Sequence, residues 1–171
     1  WRNPRAHAQL AGRGCCVGES IADMLELNCR MTDPPKPPPD LQLNDAAPLF
    51  SPLWIYYIAR QFSARQGRPL SGDGAIVSDA LAAVMQHGAI AWDAWPGTEA
   101  NYRNYSDAAI PPSAQAARRY KVAGEALRLA SADQILYYLG VKNRAVVVGT
   151  AWRGGTSTGR DGNFPWGLNP I

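Results

Sequence analysis

From Cys16 onward, apolar side chains recur at Val17, Ile21, Met24 and Leu25, the spacing of one helical face, while Asp23 and Glu26 fall off that stripe. The pattern predicts an amphipathic helix over residues 16–29. Residues 33–40 read Asp-Pro-Pro-Lys-Pro-Pro-Pro-Asp, which excludes helix and central strand. This run forms the centre of an expected Pro-rich surface loop over residues 30–48. Ser51-Pro52 then joins a helix-capping residue to a proline suited to the first helical position. The helix it opens carries Trp54, Tyr57, Ile58 and Phe62 on its apolar face and ends near Gly67. A Gly-rich turn follows at residues 70–74. A third helix is predicted over residues 77–87, with Leu81, Val84 and Met85 inward and Gly88 as its stop.

The periodicity then weakens. Residues 89–112 are irregular and aromatic, with Trp92, Trp95, Tyr102 and Tyr105, and a short helix is expected over residues 113–119. Residues 120–122 read as a brief strand. Ser131 with Gln134 three residues on fits a capping box, and the helix it opens is expected to bury Ile135, Leu136 and Leu139 before Gly140. Residues 144–149, Arg-Ala-Val-Val-Val-Gly, are the best strand pattern in the chain. Residues 153–171 show no periodicity. Helices first and strands late imply an α+β domain, with 1–171 as one unit.

At 171 residues, with 46% hydrophobic and 18% charged positions, the chain is long enough and apolar enough for a real core. No apolar run approaches the ~18 residues of a membrane span, so no membrane partner is expected. The net charge is +3, and Lys36, Lys121 and Lys142 are scattered, which argues against a nucleic-acid footprint. Cys15, Cys16, Cys29, His7 and His87 show no metal-ligand spacing, so no metal is expected. The chain begins at Trp1, without an initiator Met, and reads as a processed product or a piece of a longer polypeptide.

The candidate chemistry lies in Gly12-Arg13-Gly14-Cys15-Cys16-Val17-Gly18-Glu19-Ser20. A thiol in the first turn of a helix meets outward-pointing N–H groups and the positive end of the macrodipole, which favour thiolate over thiol. The competing reading is a small buried hydrophobe, the commoner fate of a free cysteine.

The segment Gly14-Cys15-Cys16-Val17-Gly18-Glu19-Ser20 resembles the nucleophile segment of papain-like cysteine peptidases, in particular their bacterial and phage branch. In that family a Gly-rich loop preceded by Gln leads into a Cys on the central helix. Weaker likenesses follow in order: Leu49-Phe50-Ser51-Pro52 at the second helix, Gly72-Asp73-Gly74-Ala75 at the cleft-lining segment, Trp95-Pro96, and the Val-rich stretch after residue 144.

The resemblance implies a papain-like α+β fold, of which this chain holds the helical half and the start of the β half. It implies a thiol-dependent peptidase without cofactor, acting on peptide or protein substrates. Cys16 would be the nucleophile, Gln9 the oxyanion donor, and Asp73 and Gly74 the substrate-backbone contacts. Gln9 lies seven residues before Cys16, one more than the family spacing, and the stripe from Val17 to Leu25 favours Cys16 over Cys15. The family's histidine follows its Val-rich strand, but no histidine follows His87 here, and Asn163-Phe164-Pro165-Trp166-Gly167 only faintly echoes its Asn-Ser-Trp-Gly. An active enzyme would therefore take its base from chain beyond Ile171. The alternative is a catalytically inactive, peptidase-like structural component of a large assembly such as a phage virion, in a virion-associated or extracellular setting.

Overall fold

The structure, a computed structural model, describes residues 14–32, 34–43, 48–68, 72–122 and 126–147. Three longer helices carry the core: α1 (Cys16–Arg30), α2 (Pro52–Arg65) and α3 (Val77–His87). The Ser51 hydroxyl caps α2 by accepting from the Trp54 N–H at 3.1 Å, and itself donates to the Trp95 carbonyl at 2.6 Å. One serine thus starts a helix and anchors the aromatic loop beside it. The helix α3 packs against α2, and its fully buried residues Ala80, Ala83 and Val84 are small.

The helix α2 is the central element. Its buried residues run nearly all round, from Pro52 through Tyr56 to Ile58, Ala59 and Ser63, as expected where α1 and α3 cover it from two sides. The approach of α1 to α2 is set at Gly18. A Cβ there would stand 2.4 Å from the Pro52 carbonyl oxygen, closer than any side chain tolerates. On the far side of α2, Ser63 donates to Asp79 at 2.5 Å, and Arg68 pairs with the same carboxylate at 2.7 Å.

The later half is built from short pieces: a 3₁₀ turn (Trp92–Ala94), α4 (Glu99–Arg103), α5 (Pro112–Ala116) and α6 (Ala132–Leu136), which continues as a π-helical turn (Tyr137–Val141). The aromatic stretch packs inward: Trp95 and Tyr102 are buried, and Trp95 stacks on Tyr105. Arg119 lies over the Trp54 ring at 4.0 Å, and the Trp54 indole N–H donates to the Gly88 carbonyl at 2.8 Å, closing the end of α3.

The expected α+β papain-like fold is corrected by this architecture: among the described residues there are helices and no strands. Among the described residues, extended backbone meets at isolated bridges, Phe50 with Ala91, Ala89 with Tyr120 and Ser106 with Ala109. The reason lies in the backbone hydrogen bonds. A strand must give its N–H groups to a neighbouring strand, but the Arg144 N–H goes to the Tyr138 carbonyl and the Ala145 N–H to the Asn28 side chain. Residues 120–122, also expected as strand, contribute only the single Tyr120 bridge. Positions 148–149 of the expected strand and the tail 153–171 lie outside the described residues.

Burial on α6 also departs from expectation. Ser131 caps it as predicted, accepting from the Gln134 N–H at 3.2 Å. Yet Leu136 is 66% and Leu139 44% exposed, and Val141 is exposed too. Among the helical elements, this helix touches chiefly its own π-turn, and Ile135 alone of the three expected core residues is half-buried. Among the described residues, no helix is long and apolar enough to cross a membrane.

Candidate functional site

The two adjacent cysteines part at the start of α1. Cys15 precedes the helix and is buried, 1% exposed, whereas Cys16 is its first residue and is exposed. The first N–H groups of a helix have no partner within it, so Cys16 stands in a turn whose backbone donors lack helical partners.

What fixes this loop lies on both sides of it. Behind it, Tyr102 on α4 donates to the Glu19 carboxylate in the first turn of α1 and is also hydrogen-bonded to the Cys15 thiol. Burial pushes the Cys15 thiol up, against the lowering effect of the Tyr102 contact, and the nearby Glu19 charge adds to the rise. Burial and the Glu19 carboxylate hold the Tyr102 phenol well above its ordinary range. Cys15, Tyr102 and Glu19 therefore form a buried polar brace rather than a nucleophile with its base.

In front, Gly14 lies against the turn at residues 72–74. A Cβ on Gly14 would fall 2.9 Å from the Gly74 nitrogen and 3.0 Å from the Asp73 carbonyl carbon. Two segments far apart in sequence, the Gly-Cys-Cys loop and the expected substrate-contact turn, thus meet backbone to backbone. Gly74 has φ +128°, a conformation that side-chain-bearing residues rarely adopt. Its N–H donates to the Tyr56 hydroxyl at 3.0 Å, and its carbonyl accepts from Arg60 Nη1 at 2.7 Å. The N–H is therefore engaged, while the carbonyl retains a second lone pair for a ligand. Asp73 is exposed on the rim of the same turn. Ala75, the next residue, is half-buried and shows no hydrogen bond through its N–H or C=O among the described residues.

Other candidate residues lie elsewhere. Gln9 and His7 fall outside the described residues. His87 ends α3, an 11-residue helix and so about 16 Å long, and the residues 72–74 precede the other end of that helix. Burial, with Arg65 and Arg119 adding repulsion, holds the His87 imidazole below its ordinary range. It is a helix-end residue, not a partner of Cys16. Cys29, near the far end of α1, is half-buried, and burial together with Glu26 raises its thiol.

A basic cleft of about 440 Å³, lined by Met31, Lys36, Lys142, Asn143 and Arg144, also lies at that far end. With 15 residues in α1, it stands about 20 Å from Cys16 and belongs to a different surface.

Sequence reasoning missed Tyr56, Arg60 and Asp107, which hold the 72–74 turn. Tyr56 was hidden because it sits beside the α2 apolar stripe. Arg60 was hidden because a lone Arg on a helix reads as a solvated charge. Neither a protein-family model, nor a curated protein, nor a solved structure matches the chain.

Proposed function

We propose that this chain carries the nucleophile of a cysteine peptidase, with Cys16 attacking the carbonyl of a peptide bond. The observation that supports this reading is the pairing of an exposed Cys16 at the start of α1 with the backbone edge at residues 73–75, against which Gly14 is seated. A nucleophile and an edge for an extended peptide lie on neighbouring backbone.

In the reaction, a sulfur–carbon bond forms as the carbonyl becomes an oxyanion. That oxyanion is met by N–H groups at the start of α1. The carbon–nitrogen bond then breaks, and the amine leaves with a proton from a general acid. Water, deprotonated by the same group, hydrolyses the thioester and restores the thiol. The Gly74 carbonyl accepts from a substrate N–H through its second lone pair. Cys15 takes no part, since it is buried in the brace beneath. His87 sits at the wrong end of α3, so the reading needs a general acid–base group other than His87. The test is hydrolysis of a mixed quenched-peptide library by the protein. Cleavage lost in Cys16→Ala and retained in Cys15→Ala supports the reading; cleavage that survives Cys16→Ala overturns it.

A second reading has its own observation. Leu136, Tyr137, Leu139 and Val141 expose an apolar surface on α6 and its π-turn, which favours a contact role in a larger assembly without catalysis. Under that reading Cys16→Ala changes nothing except the thiol count.

A further inference from the structure

Among the described residues, one cation, Arg60, is hydrogen-bonded to the 72–74 turn. Arg60, on α2, points its Nη1 at two carbonyls of the turn, Gly72 at 2.9 Å and Gly74 at 2.7 Å. Its other edge faces Asp107: Nε lies 2.8 Å from one carboxylate oxygen, and Nη2 lies 2.7 Å from the other. Asp107 is braced in turn, accepting from the Tyr105 hydroxyl at 2.6 Å, while its backbone carbonyl accepts from Gln61 at 2.8 Å. The guanidinium also lies 5.5 Å from the Tyr56 ring centre, and the hydroxyl of that tyrosine holds the Gly74 N–H. The Arg60 side chain is only 9% exposed. This geometry fits a planar fork and not a point charge, since one ammonium cannot serve a carboxylate side-on and two carbonyls together.

We propose that Arg60 is a positioning residue for substrate: by clamping the Gly72 and Gly74 carbonyls between α2 and Asp107, it presets the backbone edge beside Cys16 to receive an extended peptide. This inference rests on the reading of Cys16 as nucleophile. The clamp acts on binding and not on the thiol, because the contacts described for it are with the carbonyls of the turn.

The experiment compares two alkylating agents on the full chain, with modification located by peptide mass. Iodoacetamide reports the thiol alone. A dipeptidyl vinyl sulfone, which must first lie along the edge, reports binding through its saturation constant. Arg60→Gln and Arg60→Lys are expected to raise that constant about tenfold, with the limiting inactivation rate and the iodoacetamide rate held within twofold. Asp107→Asn, a milder change at a more exposed residue, is expected to raise it severalfold, and it carries the test if the Arg60 variants do not fold. A saturation constant unchanged in the folded variants overturns the clamp alone. Absence of saturable Cys16 labelling in the unaltered protein overturns the nucleophile reading, and the clamp with it.

Discussion

Gly14 and Gly74 touch through their backbones, so the loop that presents Cys16 is seated directly on the turn that Arg60 and Tyr56 hold. Any side chain at position 14 must push that turn away, since the nearest atoms are backbone and cannot swing aside. Gly14→Ala is expected to destabilise the protein by about 1–3 kcal/mol, the usual range for an overpacked contact. Urea denaturation of the variant beside the unaltered chain measures this; a change under about 0.5 kcal/mol would show that the contact is not tight.

Gly18 and Gly140 give opposite outcomes for the same substitution. A Cβ at Gly18 meets the Pro52 carbonyl at 2.4 Å and Tyr56 Cβ at 3.0 Å, whereas one at Gly140 meets nothing within 4 Å. Gly18→Ala separates α1 from α2 and is expected to lose about 3 kcal/mol or fail to fold. Gly140→Ala only reduces the freedom of the unfolded chain and is expected to be neutral or to gain up to about 1 kcal/mol. Thermal melts of the two variants decide it, and equal effects would contradict the packing described.

Glu26 lies off the apolar stripe of α1 yet is buried. Its carboxylate accepts from the Leu49 N–H at 3.0 Å and pairs with Arg30 at 2.7 Å. Glu26→Ala leaves the buried Leu49 N–H without an acceptor, an expected loss of about 1–3 kcal/mol. Glu26→Gln keeps an oxygen for Leu49 and is expected to lose less than the alanine variant. Chemical denaturation of both variants ranks them.

His87 sets a pH dependence. Its imidazole is held down by burial first and by Arg65 and Arg119 next. A depressed value means the folded state disfavours the proton. The stability this contributes is present above the unfolded value of about 6.5 and is lost as pH falls through the lower folded value. Melting temperature is therefore expected to drop between about pH 7 and pH 5, and His87→Gln is expected to flatten that part of the profile. An unchanged slope in His87→Gln would assign the effect to other groups.

The first half of the fold was legible in the sequence because its signals are local. The stripe from Val17 to Leu25, the Ser51-Pro52 cap and the Gly88 stop each fix a helix from nearby residues, and α1, α2 and α3 stand where those signals put them. The second half misled because strand and exposure depend on partners. Residues 144–147 have strand-forming composition, but the Arg144 and Ala145 N–H groups go to Tyr138 and Asn28, and no strand stands among these described residues. Leu136 and Leu139 are apolar at helical spacing, but both remain largely exposed. At the site, sequence pointed to Cys16 and Gly74, while the residues that hold them together, Tyr56, Arg60, Tyr102 and Asp107, declare themselves only through long-range contacts.

The most direct measurement is the second-order rate of iodoacetamide with each cysteine at pH 6, set against free glutathione. An exposed thiol that is merely accessible reacts like glutathione, and one activated by its site reacts faster. Cys16 is expected to exceed glutathione on the order of tenfold, with Cys15 and Cys29, both raised by burial, below it. A Cys16 no faster than glutathione would contradict its role as a nucleophile.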